Sequence, residues 1–159
     1  MNLITCKFLR DLLPKKQVHS VYDIWQIAKN MITNDKEYLI RFDLNSTNHI
    51  VNKEVISIGT LTGLMIHPRE LFKSAIINSA CSIVIAHNHP SEDCTPSEGD
   101  IERNEAIVEA GKLLEIEVKD HIIFCDKEFY SMKEGGYFND GDKEEPAGSE
   151  DESSGDSDG

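Results

Sequence analysis

Apolar and polar positions follow two rhythms along this chain. Between Ser20 and Thr33 apolar residues recur at 21, 24, 25, 28, 31 and 32. That is helical spacing with one buried face, and Ser20 stands as its cap. Asn34-Asp35 breaks the pattern. Glu37 to Leu44 alternates with period two and reads as a strand, closed by the turn Asn45-Ser46-Thr47-Asn48. A second strand is predicted from His49 to Ile58 and, after Gly59-Thr60, a third from Leu61 to Ile66. Pro68 opens a predicted helix over 69–80, with Leu71, Phe72, Ala75 and Ile76 on one side. Cys81 to Ala86 is a continuous apolar run, as expected of a strand buried on both faces. A helix over 97–114, a strand over 118–125 and a short element over 130–138 complete the pattern. Strands and helices interleave, so the class is mixed α/β or α+β, with a central sheet covered by helices.

Length and charge refine this picture. A chain of 159 residues has room for one domain and little more. The net charge of -13 is uneven: from Asn139 to Gly159 there are nine acids against Lys143 alone, which leaves -5 for the rest. The expected organisation is an arm over 1–19, a domain over 20–138 and a disordered, solvating acidic tail over 139–159. No apolar run approaches the ~20 residues of a membrane span. The first residues, Met1-Asn2-Leu3-Ile4-Thr5-Cys6-Lys7, do not read as a signal peptide. Four cysteines at 6, 81, 94 and 125 form no C-x-x-C pair, which predicts neither a disulfide framework nor a cysteine zinc site and suits a reducing, cytoplasmic setting. An acidic body without a basic stripe lacks the footprint of a general nucleic-acid binder.

The segment from His87 to Asp100 carries the candidate chemistry. It starts where the buried strand ends. Residues two apart in extended backbone point the same way, so His87 and His89 present both imidazoles to one side. Pro90 turns the chain out of the sheet, and Ser97 caps the next helix with Asp100 one turn up. Two imidazoles and one carboxylate leave a fourth position for water, the ligand count of a catalytic zinc. H-x-H alone is a weak signal, and Ser97 with Asp100 is also an ordinary capping pair. The whole spacing, directly after an apolar strand, is what points to a metal.

H-N-H-P followed by S-x-x-D at this distance resembles the zinc motif of the JAB/MPN (JAMM) metalloprotease-like domain. Gly59-Thr60, His67-Pro68-Arg69-Glu70, Ile83-Val84-Ile85-Ala86-His87-Asn88-His89-Pro90-Ser91, Pro96-Ser97 and Asp120-His121-Ile122-Ile123 resemble its RadC branch. The resemblance covers about residues 20–138, leaving no room for the helix-hairpin-helix segment of longer relatives. It implies a cytidine-deaminase-like fold, a curled mixed sheet flanked by helices, with Zn2+ on His87, His89 and Asp100. It also implies a catalytic glutamate on an early strand. Glu37, at the start of the strand after the first helix, takes that place; Glu70 is the reserve, and Glu54 reads as a solvent-facing strand residue. The implied reaction is hydrolysis of a peptide or isopeptide amide in an unidentified protein or peptide substrate. Glu37 would move the proton of a zinc-activated water, and the Ser97 hydroxyl would stabilise the oxyanion. The chain departs from the branch at Glu92 and Cys94, where relatives usually carry Gly and Pro. Cys94 reads as a passive loop cysteine, with metal ligation as the alternative.

Two rival functions stand beside the hydrolase. One is a DNA-repair-associated accessory role, against which the acidic body argues; the other is a non-catalytic JAB scaffold, against which the complete ligand set argues. His121 reads as a structural histidine, with a place near the cleft as the alternative, and Trp25 reads as core. Glu98, Glu102, Glu105 and Glu109 read as a solvated helix face.

Overall fold

The alternating segment forms the inner strand that organises the sheet. The computed structural model describes residues 16–59 and 66–138. Strand β1 (Glu37–Leu44) pairs antiparallel with β2 (Ile50–Gly59) on one side and β3 (Ser82–Asn88) on the other. β3 runs parallel to β4 (Glu117–Phe124), and β5 (Phe129–Ser131) closes the far edge antiparallel to β4. The result is an open, mixed five-stranded sheet in the order β2-β1-β3-β4-β5. This bears out the mixed α/β class.

Each face of the sheet has its own core. On one face Ile40, Phe42, Leu44, Val84, Ala86, Ile122 and Phe124 pack against Ile24, Trp25 and Ala28 of helix α1 (Val21–Ala28). On the other, Leu39, Ile83, Ile85 and Val118 meet Leu71, Phe72 and Ala75 of α2 (Pro68–Ile77) and Ile107 of α3 (Glu98–Leu113). Burying one such aliphatic or aromatic side chain contributes about 1.5–3 kcal/mol. β3 lies at the centre with all seven residues buried, as its apolar run predicts. Gly111 lets α3 lie close to β4: a Cβ there would stand 2.7 Å from the Ile116 carbonyl oxygen.

Two departures from the sequence pattern have clear causes. α1 ends at Ala28 rather than Thr33 because the backbone tightens into turns, with Asn30 N donating to Ile27 O and Met31 N to Ala28 O. Met31 and Ile32 still pack on the core, so their spacing marks burial without helix. The expectation of unpaired cysteines is corrected: Cys94 and Cys125 are joined as a disulfide. They are 31 residues apart in sequence. His89 N donates to Phe124 O at 3.0 Å, which folds the loop after β3 back over the end of β4 and makes the two cysteines neighbours. Cys81 is free and exposed. The predicted strand over 61–66 falls mainly on residues outside those described, as do the acidic tail and most of the arm. Among the described residues no helix is long and apolar enough to cross a membrane.

Candidate metal centre

The site forms where β3 ends and α3 begins. Ligands commonly bind beyond the carboxyl ends of strands in open α/β sheets. His87 is the penultimate residue of β3, and His89 follows the strand directly. Ser97 caps α3: its Oγ accepts from Asp100 N at 3.2 Å, while Asp100 Oδ2 accepts from Ser97 N at 3.0 Å and from Ser97 Oγ at 2.6 Å. The capping box therefore also aims the Asp100 carboxylate.

Three side chains converge there. His87 Nε2 lies 3.0 Å from His89 Nε2 and 3.3 Å from Asp100 Oδ1, and His89 Nε2 lies 3.4 Å from Asp100 Oδ2. His87 and Asp100 are buried and His89 is half-buried. These three form the one candidate metal-binding group among the described residues. The two imidazole–carboxylate separations fit a tetrahedral cation such as zinc, and the imidazole–imidazole separation is about 0.3 Å short of it. Tetrahedral ligands with zinc bonds of about 2.0–2.2 Å stand about 3.3–3.6 Å apart. His89 Nδ1 lies 2.7 Å from the Asp93 carbonyl oxygen, which only accepts, so Nδ1 carries a proton and Nε2 is left for a cation.

Electrostatics point the same way. Burial pushes the Asp100 carboxyl up, but the hydrogen bonds from His87, His89 and Ser97 outweigh it and hold the group well below the usual carboxylate range. The hydrogen bond to Asp100 raises His89 against its own burial. Burial lowers His87, with Asp100 opposing. A buried carboxylate that stays ionised, beside two imidazoles, is a site built for positive charge.

The three candidate glutamates lie in different surroundings. Glu37 is half-buried at the start of β1, two residues before Leu39, which pairs with His87 across the ladder, and its charge acts on His89. Glu70 is exposed on α2 and pairs with Arg69 at 3.4 Å. Glu54 is exposed as expected, but not simply solvated: it receives hydrogen bonds from Arg41 Nη2 at 3.1 Å and Ser74 Oγ at 2.7 Å. The Cys94 sulfur is bonded to Cys125, so it does not reach toward the triad as a thiolate ligand. Glu92, where the branch usually has Gly, adopts φ 64°, the left-handed region that favours glycine. Glu98, Glu102, Glu105 and Glu109 are exposed, as predicted.

Four residues belong to the site that the sequence pattern alone did not single out for it. Arg103 Nη1 donates to Asp100 Oδ1 at 2.7 Å from one turn along α3; its i,i+3 spacing from Asp100 was the available signal. Asn88, fully buried, clamps the chain on both sides of Glu37: its Oδ1 accepts from Tyr38 N at 2.7 Å, and its Nδ2 donates to Lys36 O at 2.8 Å. His121 Nε2 lies 2.8 Å from His87 Nδ1, and Asn104 Oδ1 lies 3.3 Å from His121 Nδ1.

An open mixed sheet with two histidines at the end of its central strand and an aspartate on the following helix defines a JAB-type domain with a possible metal centre. The profile of the RadC-like JAB domain family matches residues 16–137. A UPF0758 protein of Methanococcoides burtonii is 43% identical over 125 residues, 78% of this chain and 55% of that protein. One from Staphylococcus carnosus is 42% identical over 135 residues, 84% of this chain and 59% of its own. The chain belongs to the RadC-like JAB domain family. It spans little more than half the length of these curated relatives, and their name specifies no activity.

Proposed function

We infer that this domain is a zinc-dependent hydrolase of peptide or isopeptide amides. The observation that carries the reading is the 3.0–3.4 Å triangle of His87 Nε2, His89 Nε2 and the Asp100 carboxylate. Zinc held by these three supplies Lewis acidity, acidifying water and polarising a carbonyl. Glu37, held at the rim by the Asn88 clamp, takes a proton from the nucleophile and delivers it to the leaving amine. The Ser97 hydroxyl donates to Asp100 as it stands, and rotating that proton away lets it hydrogen-bond the reacting carbonyl oxygen. Arg103 donates to Asp100 Oδ1 and holds the carboxylate in orientation. The partner is a protein or peptide segment; the acidic body argues against direct DNA binding.

Elemental analysis of the purified protein tests the metal: about one zinc per chain is expected, and little in Asp100→Ala. A quenched-fluorescent peptide library tests the chemistry, with Glu37→Gln keeping zinc and losing turnover. A wild-type protein without zinc, or an active Glu37→Gln, contradicts the reading.

A further inference from the structure

We propose that His121 and Asn104 are positioning residues that fix the tautomer of His87 and thereby aim its Nε2 lone pair at the metal position. The proposal rests on the zinc reading above and on the direction of one buried hydrogen-bond chain. That chain starts at a group with no choice. The backbone carbonyl of Tyr137 can only accept, and Asn104 Nδ2 donates to it at 2.9 Å. This turns Asn104 Oδ1 toward His121, where it lies 3.3 Å from Nδ1. An amide oxygen can only accept, so His121 carries its proton on Nδ1. Its Nε2 is then an acceptor, 2.8 Å from His87 Nδ1. When neutral, His87 is therefore protonated on Nδ1, so that once Nε2 gives up any proton directed at Asp100 it is bare at the point shared with His89 and Asp100.

The three side chains of the relay are shut away from water, which could otherwise reverse the order: Asn104 and His121 are fully buried and His87 nearly so. The segments involved are far apart in sequence. His121 comes from β4, whose parallel register places it opposite Ile85, two residues before His87 on β3. Asn104 sits on α3 one turn beyond Asp100, so the helix that supplies a ligand also supplies the anchor of the relay. Protonation of His89 is fixed separately, through the Asp93 carbonyl. The two imidazoles are thus oriented by two independent backbone oxygens, and neither is free to present a proton to the cation when neutral.

The test reads tautomers first. In long-range 1H–15N spectra of metal-free, 15N-histidine-labelled protein at pH 8, His87 and His121 should both appear as Nδ1–H forms. Either ring carrying its proton on Nε2 overturns the relay. Zinc affinity, measured by competition with a chromogenic chelator, is the second arm. His121→Leu and Asn104→Leu should weaken it about 10–100-fold, as loss of an outer hydrogen-bond partner typically does. His121→Gln, whose amide oxygen reproduces the Nε2 acceptor, should recover most of that loss. Affinity in His121→Leu equal to wild type overturns the proposal. If the wild-type protein takes up no zinc, the metal reading fails, and the tautomers of the metal-free protein alone decide the relay.

Discussion

Replacing Asp100 with Asn separates two tasks that one carboxylate performs. Without metal, its oxygens receive hydrogen bonds from Ser97 N at 3.0 Å, Ser97 Oγ at 2.6 Å and Arg103 Nη1 at 2.7 Å. Asn keeps the shape and one acceptor, but loses the charge in the first turn of α3 and the partner of Arg103. That should cost about 1–3 kcal/mol. For a domain of this size each kcal/mol moves Tm by about 3–6 °C, so zinc-free Asp100→Asn should melt about 3–18 °C below wild type. Zinc adds a second, separable effect. At a free concentration of 100 times Kd, binding stabilises the native state by ~2.7 kcal/mol, an upward shift of about 8–16 °C for wild type. Losing an anionic ligand should weaken affinity by more than the ~10–100-fold typical of an outer partner. At the same free zinc the variant then gains under about 0.5 kcal/mol, or under about 3 °C. Differential scanning calorimetry in buffers of fixed free zinc measures both quantities. Ser97→Ala is the control: it should lose about 1 kcal/mol of capping with and without zinc and keep most of the zinc-induced shift. A full zinc shift in Asp100→Asn refutes the metal centre as drawn.

Zinc affinity should also depend on pH in a defined direction. The hydrogen bond to Asp100 raises His89 above its ordinary value, so in the metal-free protein a proton occupies that ring at and somewhat above pH 6.5. Apparent affinity should climb as pH rises through that region and level off beyond it; a flat profile between pH 6 and 8 contradicts this. Asp43→Ala should remove the buried partner of fully buried Arg41, which donates to Asp43 Oδ1 at 2.5 Å and to the Leu71 carbonyl, and leave it only the half-exposed Glu54 carboxylate as counter-charge. The expected cost is about 3–5 kcal/mol by urea denaturation, and a loss below about 1 kcal/mol speaks against the pair as an anchor of β1. Gly111→Ala should cost about 1–3 kcal/mol, because the new methyl meets the Ile116 carbonyl oxygen at 2.7 Å and Val118 Cγ2 at 2.8 Å; a melting curve unchanged from wild type shows that α3 can lift off β4.

What the sequence discloses about this protein is what depends on local periodicity. Glu37–Leu44 alternates, and β1 has those bounds. His87 and His89 are legible as a pair because strand side chains repeat every two residues, and Asp100 because a capping box fixes its distance from Ser97. Periodicity reports burial rather than backbone shape, so Met31 and Ile32 extend the predicted helix past its end while still packing on the core.

The remainder of the site depends on register, which no local window carries. His121 reaches His87 because β3 and β4 run parallel with Ile85 opposite His121, a pairing across 36 residues. The same parallel connection places α3 against the sheet, and with it Arg103 and Asn104, two polar residues that look like any others on a charged helix. Cys94 and Cys125 meet only because His89 N hydrogen-bonds Phe124 O and folds the loop over the strand end. Asn88 is hidden for a different reason. It lies between the two histidines but, one residue out of phase, points to the opposite side, where it ties Lys36 and Tyr38. One tripeptide thus serves two elements: its outer residues converge on Asp100, and its middle residue anchors the strand start that carries Glu37. The spacing between the proposed base and the proposed ligands is therefore held twice, by the ladder pairing of Leu39 with His87 and by the two backbone hydrogen bonds of Asn88.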